Sequence, residues 1–352
     1  MPEILSDDML VALVGLGGGL LLGLAARLGR FCTMGAIEDL LYGGSDTRMR
    51  MWVLAIGVAI FGTFGLSALG VMATETSYYL SIRWMPVASV LGGLMFGYGM
   101  ALAGNCGYGS IARLGGGDMR AFVIVLVMGV SAYVVLSGPL APLRVWLFPQ
   151  EDVVNDMPPG LAHLLSDWSG LSVNMLGMGI GTLIIVGALA SRDFITEKAG
   201  IFWSVVVGIA ITSGWAGSYW VASTGFADVP VVSHSFSAPV GESLLYFMTA
   251  SARAPSFAVG SVAGVIGGAF IGSLIKGHFR WEACEDPREL RRQITGATLM
   301  GTGAVLALGC TIGQGLSAFS VLAFSAPVTF LAIFAGAALG LRQLIEGFQP
   351  AE

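Results

Sequence analysis

Charge is what this chain has least of: Asp, Glu, Lys and Arg make up only 11% of its 352 residues, against 55% hydrophobic residues and 52 glycines. With a mean hydropathy of +0.80, that composition excludes an ordinary soluble domain. Cysteine is scarce, four in all, and without a Cys-X-X-Cys spacing neither a disulfide framework nor an exchanging thiol pair is indicated. The absence of a G-x-x-x-x-G-K-[ST] phosphate loop argues against an ATP-driven pump. No lysine or arginine precedes the first apolar run in MPEILSDDML, so the positive region of a cleavable signal is missing and the first helix is expected to stay in the mature protein. His163, His234 and His278 fall in expected loops without metal-ligand spacing. No metal, no cofactor, no enzymatic activity and no nucleic-acid partner are expected.

What the chain does have is long apolar runs. A bilayer core about 30 Å thick needs roughly 20 apolar residues per helix. About nine runs approach that length, at 9–28, 51–72, 85–103, 120–138, 171–190, 200–221, 255–275, 295–308 and 327–345. The eighth is short and is expected to continue into a broken segment around 309–322. The fold class expected is therefore an all-α polytopic membrane protein, one transmembrane domain over residues 1–352 with about nine spanning helices and short broken or re-entrant helices among them. With the N-terminus outside and the C-terminus in the cytoplasm, the inner side collects every lysine and arginine except Arg83, Arg144 and Arg253, which is 14 of the 17 and is the asymmetry that orients membrane proteins.

An internal repeat underlies this pattern. Residues 97–109, GYGMALAGNCGYG, align without a gap on 301–313, GTGAVLALGCTIG, and the identities include a cysteine in register, Cys106 on Cys310. The first copy falls in the third expected span and the second in the eighth, so the two run in opposite directions. An inverted repeat follows, with halves at about 1–150 and 191–352 joined by a connector helix at about 171–190. On that topology one thiol stands toward each face.

Both copies break an apolar run with glycine, at Gly104-Asn105-Cys106-Gly107 and at Gly309-Cys310-Thr311-Ile312-Gly313-Gln314. Backbone freed this way must be buried in protein or line a cavity, and the N-terminus of a following half-helix favours an anion. Thr311 and Gln314 add polar side chains at the second break. Cys32, in Arg30-Phe31-Cys32-Thr33, is a third thiol where an apolar run stops. A thiol in an apolar wall stays neutral and offers a weak S–H donor, which suits the polarisable terminal sulfur of thiosulfate better than the hard oxygens of sulfate. Cys284, in a charged inner loop, reads as an incidental exposed thiol. Arg113, seven residues after Cys106, either draws an anion or sets topology. The expected path residues are thus Cys32, Cys106, Cys310, Asn105, Gly107, Thr311, Gln314 and Arg113. Glu38 and Asp39 read as caps of a short surface helix, and the outer segment 223–254 as either a dipping helix or a surface loop.

Four elements in this order, Arg-Phe-Cys-Thr at 30–33, Gly-Asn-Cys-Gly-Tyr-Gly at 104–109, Ser-Phe-Ser-Ala-Pro-Val-Gly-Glu at 235–242 and Gly-Cys-Thr-Ile-Gly-Gln-Gly at 309–315, mark a chain that resembles the YeeE/YedE family of bacterial inner-membrane sulfur transporters. The resemblance implies an hourglass-shaped helical protein in the inner membrane that imports thiosulfate past Cys32, Cys106 and Cys310 by S–H···S contacts. It also implies a small TusA-like sulfur-carrier protein as a cytoplasmic partner, besides the surrounding lipid. A selenium or other sulfur species as cargo, another anion with the cysteines serving only as packing, and a membrane thiol–disulfide electron carrier are the alternatives. With no acidic residue clearly inside a spanning run, facilitated movement is expected rather than proton coupling.

Overall fold

Small polar residues start the helices. Ser6, Asp118, Ser172, Ser256 and Asp286 each accept a hydrogen bond from an N–H of the helix that follows, which satisfies donors that have no intrahelical partner. In the computed structural model, which describes residues 6–149, 160–282 and 286–347, sixteen α-helices result. The first half contains α1 (Asp7–Leu28), α2 (Thr33–Glu38), α3 (Thr47–Ala68), α4 (Tyr78–Ser81), α5 (Pro86–Ala103), α6 (Gly107–Gly115), α7 (Met119–Leu136) and α8 (Ala141–Leu147). Next come α9 (Leu161–Ser169), α10 (Val173–Leu189) and α11 (Arg192–Thr196). The second half contains α12 (Lys198–Thr224), α13 (Ala238–Thr249), α14 (Phe257–Ile275), α15 (Pro287–Leu306) and α16 (Ser325–Glu346). Wider π-helical turns occupy Asp39–Gly43 and Gly313–Ala318. Among the described residues there is no strand, only one bridge between Asp118 and Glu282.

The protein is an all-α polytopic membrane protein. Among the described residues, seven spans are long and apolar enough to cross a bilayer, with α5 and α6 counted as one, and the pair α9 and α10, bent by 117°, makes an eighth if taken as a single span. The expected count of nine is therefore not reached on length and apolarity. The run at 295–308 lies in α15, whose first turns carry Arg288, Glu289, Arg291 and Arg292. Cys284 lies outside the described residues.

Close glycine contacts give the helix directions. On α1, Gly15, Gly19 and Gly23 face Phe257, Ser261 and Val265 of α14 in ascending order, so α1 and α14 run parallel. Val58 and Gly62 of α3 likewise meet Gly208 and Thr212 of α12, and Leu94 and Tyr98 of α5 meet Gly336 and Gly340 of α16. In contrast, Gly92 of α5 meets Gly303 of α15 while Gly99 meets Gly296, so α5 and α15 run antiparallel. Such backbone-to-backbone approach is how helices associate where lipid supplies no hydrophobic drive. The neighbours form matching sets: α1 packs on α14 as α12 packs on α3, α5 on α16 as α15 on α7, and α6 on α14 as the turn Gly313–Ala318 packs on α3. Among the described residues, the intervening helix α10 packs chiefly on α3.

Candidate functional site

Each of three thiols sits in the same local frame. Arg30, Gly104 and Leu308 have φ values of 53°, 75° and 56°, and each stands two residues before a cysteine: Cys32, Cys106 and Cys310. The left-handed residue ends or turns the chain, and the cysteine then opens α2, α6 or the short helical segment beginning at Thr311. Only Gly104 adopts that conformation without steric cost; for Arg30 and Leu308 it costs roughly 1–2 kcal/mol, strain of the kind held by surrounding packing at functional sites.

At the two repeated breaks the sulfur caps the new helix. Gly109 N–H donates to Cys106 Sγ at 3.3 Å, and Gly313 N–H donates to Cys310 Sγ at 3.5 Å. The half-helix N–H groups expected to await an anion are thus aimed at the thiols themselves. A sulfur already accepting from the backbone has its own proton left to offer a ligand.

The three thiols form a sequence in space. Cys32 is half-buried and donates to Asn105 Oδ1 at 3.4 Å. Asn105 Oδ1 also accepts from Cys106 N–H at 3.0 Å, so one amide positions both thiols. Thr33 Oγ1 stands 4.0 Å from Cys106 Sγ. Thr311 Oγ1 is fully buried and has no hydrogen-bond partner among the described residues, a free donor one residue after Cys310. Cys310 Sγ accepts from Phe236 N–H at 3.3 Å and meets Ser235 Oγ at 3.7 Å. Both Cys106 and Cys310 are fully buried. Phe236, beside Cys310, packs on Tyr108, two residues after Cys106, and the two rings form a seal with centroids 5.5 Å apart.

Cavities approach this seal from two directions. One, about 320 Å³, is lined by Tyr79, Ser235 and Gly309, next to Cys310 in the chain, and also by Asp8, Asp228 and Glu242. The other, about 580 Å³, is lined by Cys32, Asn105 and Arg113 with further cationic side chains. Of the expected path residues, Cys32, Asn105, Cys106, Thr311 and Cys310 are brought together, and Arg113 joins them across the larger cavity.

Two have structural duties instead. Gly107 leaves room for Met128, whose Sδ would lie 2.8 Å from any added Cβ. Gln314 donates through Nε2 to the carbonyls of Ala307 and Leu308 at 2.9 and 3.2 Å and accepts from Ser325 Oγ at 3.1 Å, holding the frayed end of α15 in place of the missing helical donors. Gln314→Leu is expected to lower stability by about 1–3 kcal/mol through those unpaired carbonyls. Thermal unfolding of the purified protein reads this directly, and an unchanged transition would show the amide to be dispensable.

Ser235, Phe236 and Thr33 were not singled out as path residues. The segment 225–237 before α13 turns inward: Ser233, His234, Phe236 and Ser237 are buried. The dipping alternative therefore describes it. His234 is no surface-loop residue either; its Nδ1 lies 2.7 Å from Ser261 Oγ, and its ring packs on Phe257. His163 lies within α9. Asp39 pairs with Arg48 at 3.2 Å. Among the described residues no three His, Cys, Asp or Glu side chains are placed to hold a metal ion.

The profile of the sulphur transport family matches residues 28–339. Similar proteins include the thiosulfate transporter TsuA of Spirochaeta thermophila, 26% identical over 319 residues, which are 88% of this chain and 92% of that relative. The thiosulfate transporter TsuA of Escherichia coli is 26% identical over 322 residues, 86% of each chain. A probable transporter, YedE of Salmonella typhimurium, is 27% identical over 180 residues, which are 51% of this chain and 40% of that one.

Proposed function

This chain belongs to the sulphur transport family, and from that premise we propose that it imports thiosulfate past Cys310, Cys106 and Cys32 in turn. The observation that carries the reading is the placement of these thiols at and between the two cavities, two of them with a backbone N–H directed into the sulfur. Thiosulfate presents a soft sulfur to the S–H groups and oxygens to the hydroxyls of Ser235, Thr311 and Thr33. Individually weak contacts permit release as well as capture. Two similar proteins are named thiosulfate transporters over most of their length, which supports this cargo over selenium or other sulfur species. With Cys106 and Cys310 buried, the described conformation is occluded, and passage requires the Tyr108–Phe236 seal to part.

The matched helix neighbours and the antiparallel α5–α15 pair support an inverted repeat, with halves at about 1–150 and 191–352 and α10 as connector. An N-out, C-in orientation in a bacterial inner membrane fits the same arrangement. It places the carboxylate-lined cavity outside and the arginine-lined cavity at the cytoplasm, where positive residues accumulate and where a TusA-like sulfur carrier would collect the cargo.

The shared acceptor Asn105 Oδ1, which takes the Cys32 thiol and the Cys106 N–H, brings those two residues together and favours a second reading, thiol–disulfide exchange, with this pair rather than Cys106 and Cys310 as the couple. Labelled uptake in a strain stripped of its own sulfate and thiosulfate importers separates the two. The chain is expected to confer uptake that unlabelled thiosulfate competes away and sulfate does not. Absence of uptake, together with a Cys32–Cys106 disulfide in cells, would turn the reading to electron transfer.

A further inference from the structure

The thiol path needs Cys32 and Asn105 from the 580 Å³ cavity, yet the same walls carry Arg27, Arg30, Arg48, Arg113 and Lys276 against two carboxylates, Glu38 and Glu282. Arg48 has a partner in Asp39. Among the described residues, Arg27, Arg30, Arg113 and Lys276 form no ion pair within 4.0 Å.

Specific contacts hold these groups together despite their repulsion. Arg27 Nε donates to Ser273 Oγ at 2.7 Å, and its guanidinium occupies the space left at Gly116, where an added Cβ would lie 2.3 Å from Nη2. Lys276 Nζ donates to the carbonyls of Arg27 and Leu28 at 2.9 and 3.2 Å. Arg30 is presented from a left-handed residue, φ 53°. Burial, and then the charges of Arg30 and Arg27, push the Lys276 ammonium below the ordinary lysine range. Arg27 is half-buried and Arg30, Arg113 and Lys276 are exposed along the same cavity; like charges crowded there without carboxylate partners repel one another, and a dianion among them relieves that repulsion.

We propose that Arg27, Arg30, Arg113 and Lys276 form a second anion site, independent of the thiols, that takes a doubly charged tetrahedral oxyanion of the sulfate class from solution. Guanidinium forks suit such oxygens. Walls contributed by α1, α2, α6 and α14 line the space on several sides, and a concavity among four helices favours a small soluble ion over a lipid headgroup. Its role rests on the transport reading: the site receives the dianion after Cys32, so cytoplasmic sulfate or phosphate filling it slows further uptake. Its binding does not depend on that reading.

Calorimetric titration of the purified protein in phosphatidylcholine nanodiscs with sodium sulfate, against sodium chloride at matched ionic strength, tests the site. Wild type is expected to bind sulfate. Arg27→Gln and Arg113→Gln should each weaken binding about tenfold, the effect of one unit charge on a dianion about 6 Å away in a water-like dielectric. Arg113→Lys, which keeps the charge, should stay close to wild type, and Cys106→Ala should bind sulfate normally even where transport fails. No sulfate binding by wild type, unchanged affinity in both glutamine variants, or a loss in Arg113→Lys as large as in Arg113→Gln would overturn the proposal. Phosphatidylglycerol discs should leave sulfate affinity unchanged; displacement by that lipid would assign the cations to a headgroup and overturn the soluble-ion site.

Discussion

Gly296→Leu and Gly99→Leu are each expected to prevent accumulation of folded protein. A Cβ on Gly296 would lie 2.5 Å from the Gly99 carbonyl oxygen and 2.6 Å from Ala103 N, and a Cβ on Gly99 would lie 2.5 Å from the Gly296 carbonyl oxygen. Each obstacle includes backbone, so no side-chain rotation relieves it. Overpacking commonly costs about 1–3 kcal/mol where neighbours can shift, and here α5 and α15 must separate. Separation removes the contacts that associate helices in lipid and displaces both chain breaks, because α5 leads to Cys106 and α15 to Cys310. Gly179→Leu and Gly187→Leu, on α10 with nothing within 4 Å of an added Cβ, should accumulate normally. Size-exclusion profiles of the four detergent-solubilised variants make the comparison. Equal monodisperse yields would refute the close antiparallel packing.

Replacing Cys106 with alanine is expected to abolish thiosulfate uptake, and Cys32→Ala to reduce it less. Cys106 is fully buried, contacted by Thr33 and by Gly109 N–H and tied to Cys32 through Asn105 Oδ1, so its loss interrupts the row of sulfur contacts where no water or cation substitutes. Cys32 is half-buried in a cavity that also offers Asn105 and Arg113 to an anion. Removing the Cys106 thiol also leaves Gly109 N–H without its sulfur acceptor, a neutral hydrogen bond whose net worth is about 1 kcal/mol, which a folded protein tolerates. Growth on thiosulfate as sole sulfur source, at matched membrane abundance, reads the ranking. Equal growth of wild type and Cys106→Ala would remove the central thiol from the path.

Composition made the membrane class legible, because each of the nine apolar runs falls on a helix of the structure. The repeat was legible at 97–109 and 301–313 because glycine and cysteine stand in register. Gly104 announced its own break. Arg30 and Leu308 could not, since neither residue type favours the left-handed conformation that it adopts; tertiary packing overrides local preference there. The neighbours of Cys310 were hidden for another reason. Ser235 and Phe236 lie 75 and 74 residues away in the chain, and local periodicity carries no information about such pairs. Arg27 and Lys276 read singly as topology signals and Arg113 as either that or an anion-drawing group, and their convergence on one cavity depends on α1 packing against α14 and α6. Gln314 looked like a ligand group because polar side chains are rare in apolar segments, but the carbonyls at the end of α15 claim it.

Flux through purified protein in lipid vesicles tests the thiol path most directly, with wild type, Cys106→Ala and Cys310→Ala reconstituted at equal density and labelled thiosulfate or sulfate supplied outside. The account predicts thiosulfate flux well above sulfate flux in wild type and loss of the thiosulfate flux in both variants. Thiosulfate flux at the wild-type level in both variants would contradict it and leave a transporter whose cysteines serve only to pack.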